Sequence, residues 1–182
     1  TAGDNPLRVG EVACADGSAS SGGTDSCTQC PEGTFGTAAH ETCESCAKGM
    51  WSAAKGALSD QTCIPCGNGT FSAVLGAASA ELCNPCPGGT HSASVGASDL
   101  ESCVECDAGM FSLSGSASCT ACNPSQGEVA TEVRSSACSV CGVGEYAKSS
   151  VECAACPTGS KCLNGIQQVC ADGKVSGDDS SA

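Results

Sequence analysis

A chain of 182 residues has room for one or two ordinary domains, but Leu, Ile, Val and Phe supply only 24 of them, too few to close a conventional core. Its 19 cysteines reverse what would otherwise be a disordered composition, because small units with poor cores fold when they are stapled. A net charge of −13, with seven Lys and Arg, leaves no basic cluster to displace counterions from nucleic acid and repels an anionic membrane surface.

Residues 1–13 form a polar lead-in without the apolar stretch of a secretory leader, and no run of 18 apolar residues follows anywhere. A disulfide-rich chain of this kind is expected outside the cell, secreted or at the surface, and we expect it to be a mature or trimmed piece of something longer.

From Cys14 to Cys156 an unbroken tandem array follows. Its repeats open at Cys14, Cys30, Cys46, Cys66, Cys86, Cys106, Cys122, Cys141, Cys156 and Cys170. A glycine stands three residues after nearly every opening (Gly33, Gly49 and Gly69 are examples), and only the Cys122 copy delays it, to Gly127. Such a glycine supplies the left-handed backbone of a tight turn. Five residues after the opening stand Phe35, Trp51, Phe71, Phe111 and Tyr146, which are all the aromatic residues of the chain. One aromatic per repeat in one slot is a packing role: each should rest on its own disulfide or on the next hairpin and supply most of the local apolar burial. His91 fills that slot in one copy.

Each repeat closes on a Cys-x-x-Cys pair, the pairs starting at Cys27, Cys43, Cys63, Cys83, Cys103, Cys119, Cys138 and Cys153, separated by 15 to 20 residues. Periods near 20 imply a linear stack of small units. Within a unit, the Gly-Thr-Phe-Ser type segment favours a short strand and the second glycine a turn. The stretch before the closing cysteine is then expected to return as the partner strand, with helix limited to single turns. The fold class is therefore small, disulfide-rich and mostly β: an elongated stack of about eight to nine stapled hairpins. Residues 156–173 hold a compressed unit with an extra Cys162 and the start of a further one, and 174–182 are a polar tail.

Two other uses of the cysteines compete with staples. Cys43, Cys46, Cys63 and Cys66 have four-thiolate zinc spacing, but such sites add negative charge to a chain with nothing basic to offset it. A thioredoxin-like role needs a βαβ surround, and no amphipathic helix follows any pair. Structural disulfides remain, and two pairing schemes fit. In one, each opening cysteine joins the next closing cysteine: Cys14–Cys27, Cys30–Cys43, Cys46–Cys63, Cys66–Cys83, Cys86–Cys103, Cys106–Cys119, Cys122–Cys138, Cys141–Cys153 and Cys156–Cys162. In the other, successive Cys-x-x-Cys pairs interlock, as in Cys27–Cys43 with Cys30–Cys46. The interlocked scheme needs a unit of two repeats although glycine and aromatic recur in every one, so the first is preferred. It leaves Cys170, which copies the opening at Cys14 and is expected to pair beyond Ala182.

The Cys-Pro-x-Gly-Thr of Cys30–Thr34, the Gly-Thr-Phe-Ser of Gly69–Ser72 and the Gly-Ala of 56–57, 76–77 and 96–97 resemble the cysteine-rich repeats of ephrin-receptor-type and TNF-receptor-like ectodomains. Long arrays of such repeats in protist surface proteins look similar. The resemblance covers about 14–173 and implies an extracellular scaffold. His91 in the aromatic slot, the long Cys122 copy and the low basic content depart from it. A ligand patch rich in exposed aromatics or Arg is not to be had from this composition.

No catalytic motif occurs, and His40 and His91 lie in different repeats, so the chain is read as non-enzymatic with no cofactor. Asn68-Gly-Thr70 is a glycosylation sequon, whereas Asn123-Pro-Ser125 carries the disallowed proline. Acidic residues recur before closing cysteines, at Asp25, Glu41, Asp60, Glu81, Glu101 and Glu152; one carboxylate per repeat makes at most a weak divalent-cation site and otherwise a solvated face. The expected function is a stiff structural or interaction segment of a larger surface or filament protein, contacting copies of itself or another chain of the same assembly. Small residues and a near absence of exposed hydrophobes suit a glycosylated coat or a hair-like appendage such as an algal mastigoneme. A receptor or adhesin stalk binding a protein ligand is the alternative.

Overall fold

The computed structural model describes residues 14–20, 26–37 and 42–170. The polar lead-in and tail, Asp25, His40 and Glu41 lie outside them. The described residues form nine disulfides and nine two-stranded sheets, with four single 3-10 turns and no α-helix among them. Those up to 84, together with 94–102, make one compact unit; 85–93 together with 103–170 make a second.

In the first unit, Ser18–Ser20 pairs with Cys27–Gln29, Thr34–Gly36 with Cys43–Ser45, and Met50–Trp51 with Ile64–Pro65, all antiparallel. The slot aromatic stands opposite the first residue between the closing and the next opening cysteine: Phe35 faces Glu44, and Trp51 faces Ile64. The return strand is therefore the Cys-x-x-Cys segment itself, not the stretch before the closing cysteine as the pattern suggested. That stretch is engaged elsewhere. Its Ala57, Ala77 and Ala97 bridge to Phe35, Trp51 and Phe71 of the preceding repeat, and Asp60–Thr62 then makes one 3-10 turn that delivers Cys63 to Cys46.

The turn that opens each hairpin follows from its residues. Thr34 N–H donates to Pro31 O at 3.1 Å, and its hydroxyl donates to the same carbonyl at 2.7 Å. Gly33 inside the turn has φ +77°. Thr70 and Thr90 repeat the hydroxyl bond to Gly67 O and Pro87 O. A threonine at this place thus locks the turn and starts the strand.

Successive repeats are then joined through backbone. Gly49 N–H donates to Ser72 O (2.8 Å), Ser52 N–H to Ala77 O (3.0 Å), and Gly76 N–H back to Cys46 O (2.8 Å). The second unit uses the same joints: Gly89 N–H donates to Ser112 O, and Gly115 N–H to Cys86 O. Here the hairpins are Thr90–His91 with Val104–Glu105, Met110–Phe111 with Thr120–Ala121, Glu128–Val129 with Ser139–Val140, Glu145–Ser149 with Glu152–Ala155, and Ser160–Leu163 with Ile166–Val169. In the Cys122 copy, Arg134 takes the second-glycine place with φ +63° and donates its N–H to Cys106 O.

The interior of these joints is small. Buried positions include the opening cysteines (Cys30, Cys46, Cys66, Cys86, Cys106), the alanines Ala57, Ala77 and Ala97, the serines Ser52, Ser72, Ser92 and Ser112 that follow the slot, and Val129. The slot aromatics are only half-buried. The rings thus stand beside an interior made largely of sulfur, alanine and serine. Val129 of the Cys122 copy is buried, but many apolar side chains turn outward, which overturns the expected scarcity of exposed hydrophobes: Leu58, Leu75, Val95, Leu113 and Val133 are each more than half exposed.

Candidate functional site

The chemistry of this chain lies in its staples and in the surfaces they hold. Each opening cysteine is bonded to the next closing one, from Cys14–Cys27 and Cys30–Cys43 through Cys141–Cys153, with Cys156–Cys162 closing the compressed unit. Closed loops of 12 to 17 residues make up all but that last one. In the chain-entropy account each such closure is worth roughly 3 kcal/mol, and there is one per repeat. Cys46 pairs with Cys63 and Cys66 with Cys83, so none of the four sulfurs in the zinc-like spacing is a free thiolate. Cys170 is the one unpaired cysteine; its N–H donates to Gly159 O at 2.9 Å, as the N–H of Cys66 does to Gly49 O, so it stands in an opening position.

A second feature is the approach of repeats two apart. A Cβ on Gly49 would overlap the carbonyl oxygen of Gly96 and lie 3.0 Å from Ala97 O; one on Gly33 would meet Gly76 in the same way. Backbone therefore passes directly over backbone, and glycine is required both for space and for its positive φ. Cysteine, glycine, alanine and serine at fixed offsets are what this geometry needs.

That recurring joint decides the comparison. Residues 33–83 and 57–103 match the family described as tyrosine-protein kinase ephrin type A/B receptor-like. The similarity first read from Cys30–Thr34 and Gly69–Ser72 is thus shown for the 33–103 stretch. No curated protein matches the chain. The ephrin-receptor-like family is a receptor-type cysteine-rich domain and not an enzyme family, and together with nine disulfides it fits an extracellular location. No helix among the described residues is long and apolar enough to cross a membrane.

The remaining predicted residues of the array scatter. Asp60, Glu81, Glu101 and Glu152 are exposed, and Glu152 pairs with Lys148 at 3.0 Å. They do not gather: among the described residues the one group of three potential metal ligands is His91 with Cys106 and Cys119, and those two sulfurs are joined to each other. A disulfide sulfur is not a thiolate ligand, so the oxidised chain holds no metal there. Asn68 is exposed in its turn, with Thr70 two residues on. Asp99 accepts from Ser98 Oγ (2.9 Å), Ser102 Oγ (3.0 Å) and Ser102 N–H (3.1 Å), and these bonds, the one from Ser98 foremost, hold its carboxyl below the usual range.

Sequence reasoning missed the serine after the slot. Ser112 is buried and donates to Thr90 O of the preceding repeat at 2.8 Å. The signal was present in part, since Ser52, Ser72, Ser92 and Ser112 recur at one offset in four successive copies.

Proposed function

We propose that this segment works outside the cell as a non-catalytic, disulfide-stapled spacer that associates laterally with copies of itself or with another chain of the same assembly. The observation that carries this reading is that exposed apolar residues recur at equivalent positions. Leu75 and Val95, at 63% and 59% exposure, each directly precede the second glycine; Ile64 and Val104 each follow a closing cysteine and are exposed as well. A single ligand site would concentrate such residues on one repeat, whereas association along an array needs a small contact in each. A coat or hair-like appendage is the setting that suits such an array.

The test is sedentation-equilibrium ultracentrifugation of the oxidised chain, alone and with Leu75→Glu and Val95→Glu combined. Concentration-dependent association that weakens in the double variant supports the reading. A chain that stays monomeric up to millimolar concentration refutes association with copies of itself. The receptor-type family match favours a second reading, a receptor or adhesin stalk that binds a protein ligand. In that case substitutions in one repeat alone would abolish binding, and those in equivalent repeats would leave it intact.

A further inference from the structure

His91 is the copy in which the slot holds an imidazole, and the structure sets it against a staple. Its Nδ1 lies 3.1 Å from Val104 O and 3.1 Å from Cys119 Sγ. A carbonyl oxygen only accepts, so the bond to Val104 places the hydrogen on Nδ1 and fixes the tautomer. The same N–H therefore points into the space between a carbonyl and a disulfide. Cys106 Sγ belongs to the same cluster, the potential ligand atoms of the three residues all lying within 4.8 Å of one another.

We infer that Cys106–Cys119 is a thiol–disulfide exchange site, with His91 as the hydrogen-bond donor that stabilises the departing sulfur. The co-reactant is a thiol. Its thiolate attacks one sulfur and forms a mixed disulfide; the Cys106–Cys119 bond breaks, and its electron pair comes to rest on the other sulfur as a thiolate. A second equivalent of thiol then attacks the mixed disulfide. The balance is two RSH plus the protein disulfide giving RSSR plus two protein thiols, the electrons coming from the reductant. Exchange is faster when the leaving thiolate is stabilised, and a hydrogen bond to the charged form does that. Cys119 is half-buried and Cys106 fully buried, so the first thiol attacks Cys119 and expels the Cys106 sulfur; the second attacks the outer sulfur of the mixed disulfide and expels the Cys119 sulfur, to which His91 Nδ1–H donates.

The array supplies its own reference. Cys30–Cys43 closes a loop of the same 13-residue separation, with its opening cysteine likewise fully buried and its closing one likewise half-buried. Loop length and access are matched, and the slot of the preceding repeat holds Ala19 there and His91 here. The oxidised chain is treated with limiting dithiothreitol at fixed pH, quenched by alkylation at intervals, and mapped by mass spectrometry. Cys106–Cys119 should open roughly threefold to tenfold faster than Cys30–Cys43. His91→Phe places in the slot the residue that other repeats carry there, so the hairpin is retained, and the ratio should fall to about one. His91→Asn keeps a side-chain N–H near the Nδ1 position and should keep most of the advantage. A wild-type ratio near one, an undiminished ratio in His91→Phe, or equal loss in both variants would overturn the assignment.

Discussion

If glycine is demanded at the joints by space as well as by backbone conformation, three substitutions to alanine separate the two demands. Gly67 has open space around a Cβ and an ordinary φ, so Gly67→Ala should be close to neutral. Gly144 has φ +79° but nothing within 4 Å of a Cβ, so Gly144→Ala should cost only the left-handed penalty, about 1–2 kcal/mol. Gly49 has φ +80°, and its Cβ would overlap Gly96 O. The loop must retreat, taking with it the bonds of Gly96 N–H to Cys66 O and Ser72 N–H to Ala97 O, each worth about 1 kcal/mol. Gly49→Ala should therefore cost about 3–4 kcal/mol. Amide hydrogen exchange reads this locally: the Gly96 and Ser72 amides should exchange roughly a hundredfold to a thousandfold faster in Gly49→Ala and unchanged in Gly67→Ala. Equal exchange at Gly96 in the two variants would refute the claim that backbone passes over backbone at this joint.

Other outcomes follow from the same structure. Ala77 is fully buried where it bridges to Trp51, so Ala77→Leu should destabilise that joint by about 1–3 kcal/mol, measured as faster exchange of Ser52 N–H; no change would show room that the structure does not have. Asp99 has a folded pKa below its unfolded value, so its contribution is complete above the unfolded value and is lost as pH falls through the folded one. Exchange protection at Ser102, corrected for the intrinsic rate, should accordingly decline below the ordinary carboxylate range in the wild type. In Asp99→Ala it should be low and flat, and a matching decline in that variant would assign the effect elsewhere. Asn68 should carry a glycan when the chain is secreted from a glycosylating host, seen as a mass removed by an amidase and absent in Asn68→Gln; an unmodified wild type would rule the site out.

What could be read from sequence was whatever recurred with its spacing intact. Glycine three after the opening and one ring per repeat implied a unit of one hairpin, and the pairing of Cys46 with Cys63 follows that unit. The return strand could not be placed, because Ile64-Pro65 between two cysteines has no strand pattern of its own; it becomes a strand only when Trp51 lies beside it. The direction of burial was likewise hidden. Small alanines and serines carry no apolar pattern of their own, yet Ala77 and Ser72 are fully buried where backbones come close. Reach to the repeat two away, as from Gly49 to Gly96, leaves no trace beyond a second recurring glycine.

The measurement that bears most directly on the account is the disulfide map of the oxidised chain, by proteolysis without reduction and mass spectrometry. Every joint described above presumes that a repeat closes on itself before it meets its neighbours. The account predicts a peptide pair linked Cys66–Cys83, with Cys46–Cys63 beside it. A Cys63–Cys83 link, which would interlock neighbouring repeats through their sulfurs, would contradict it.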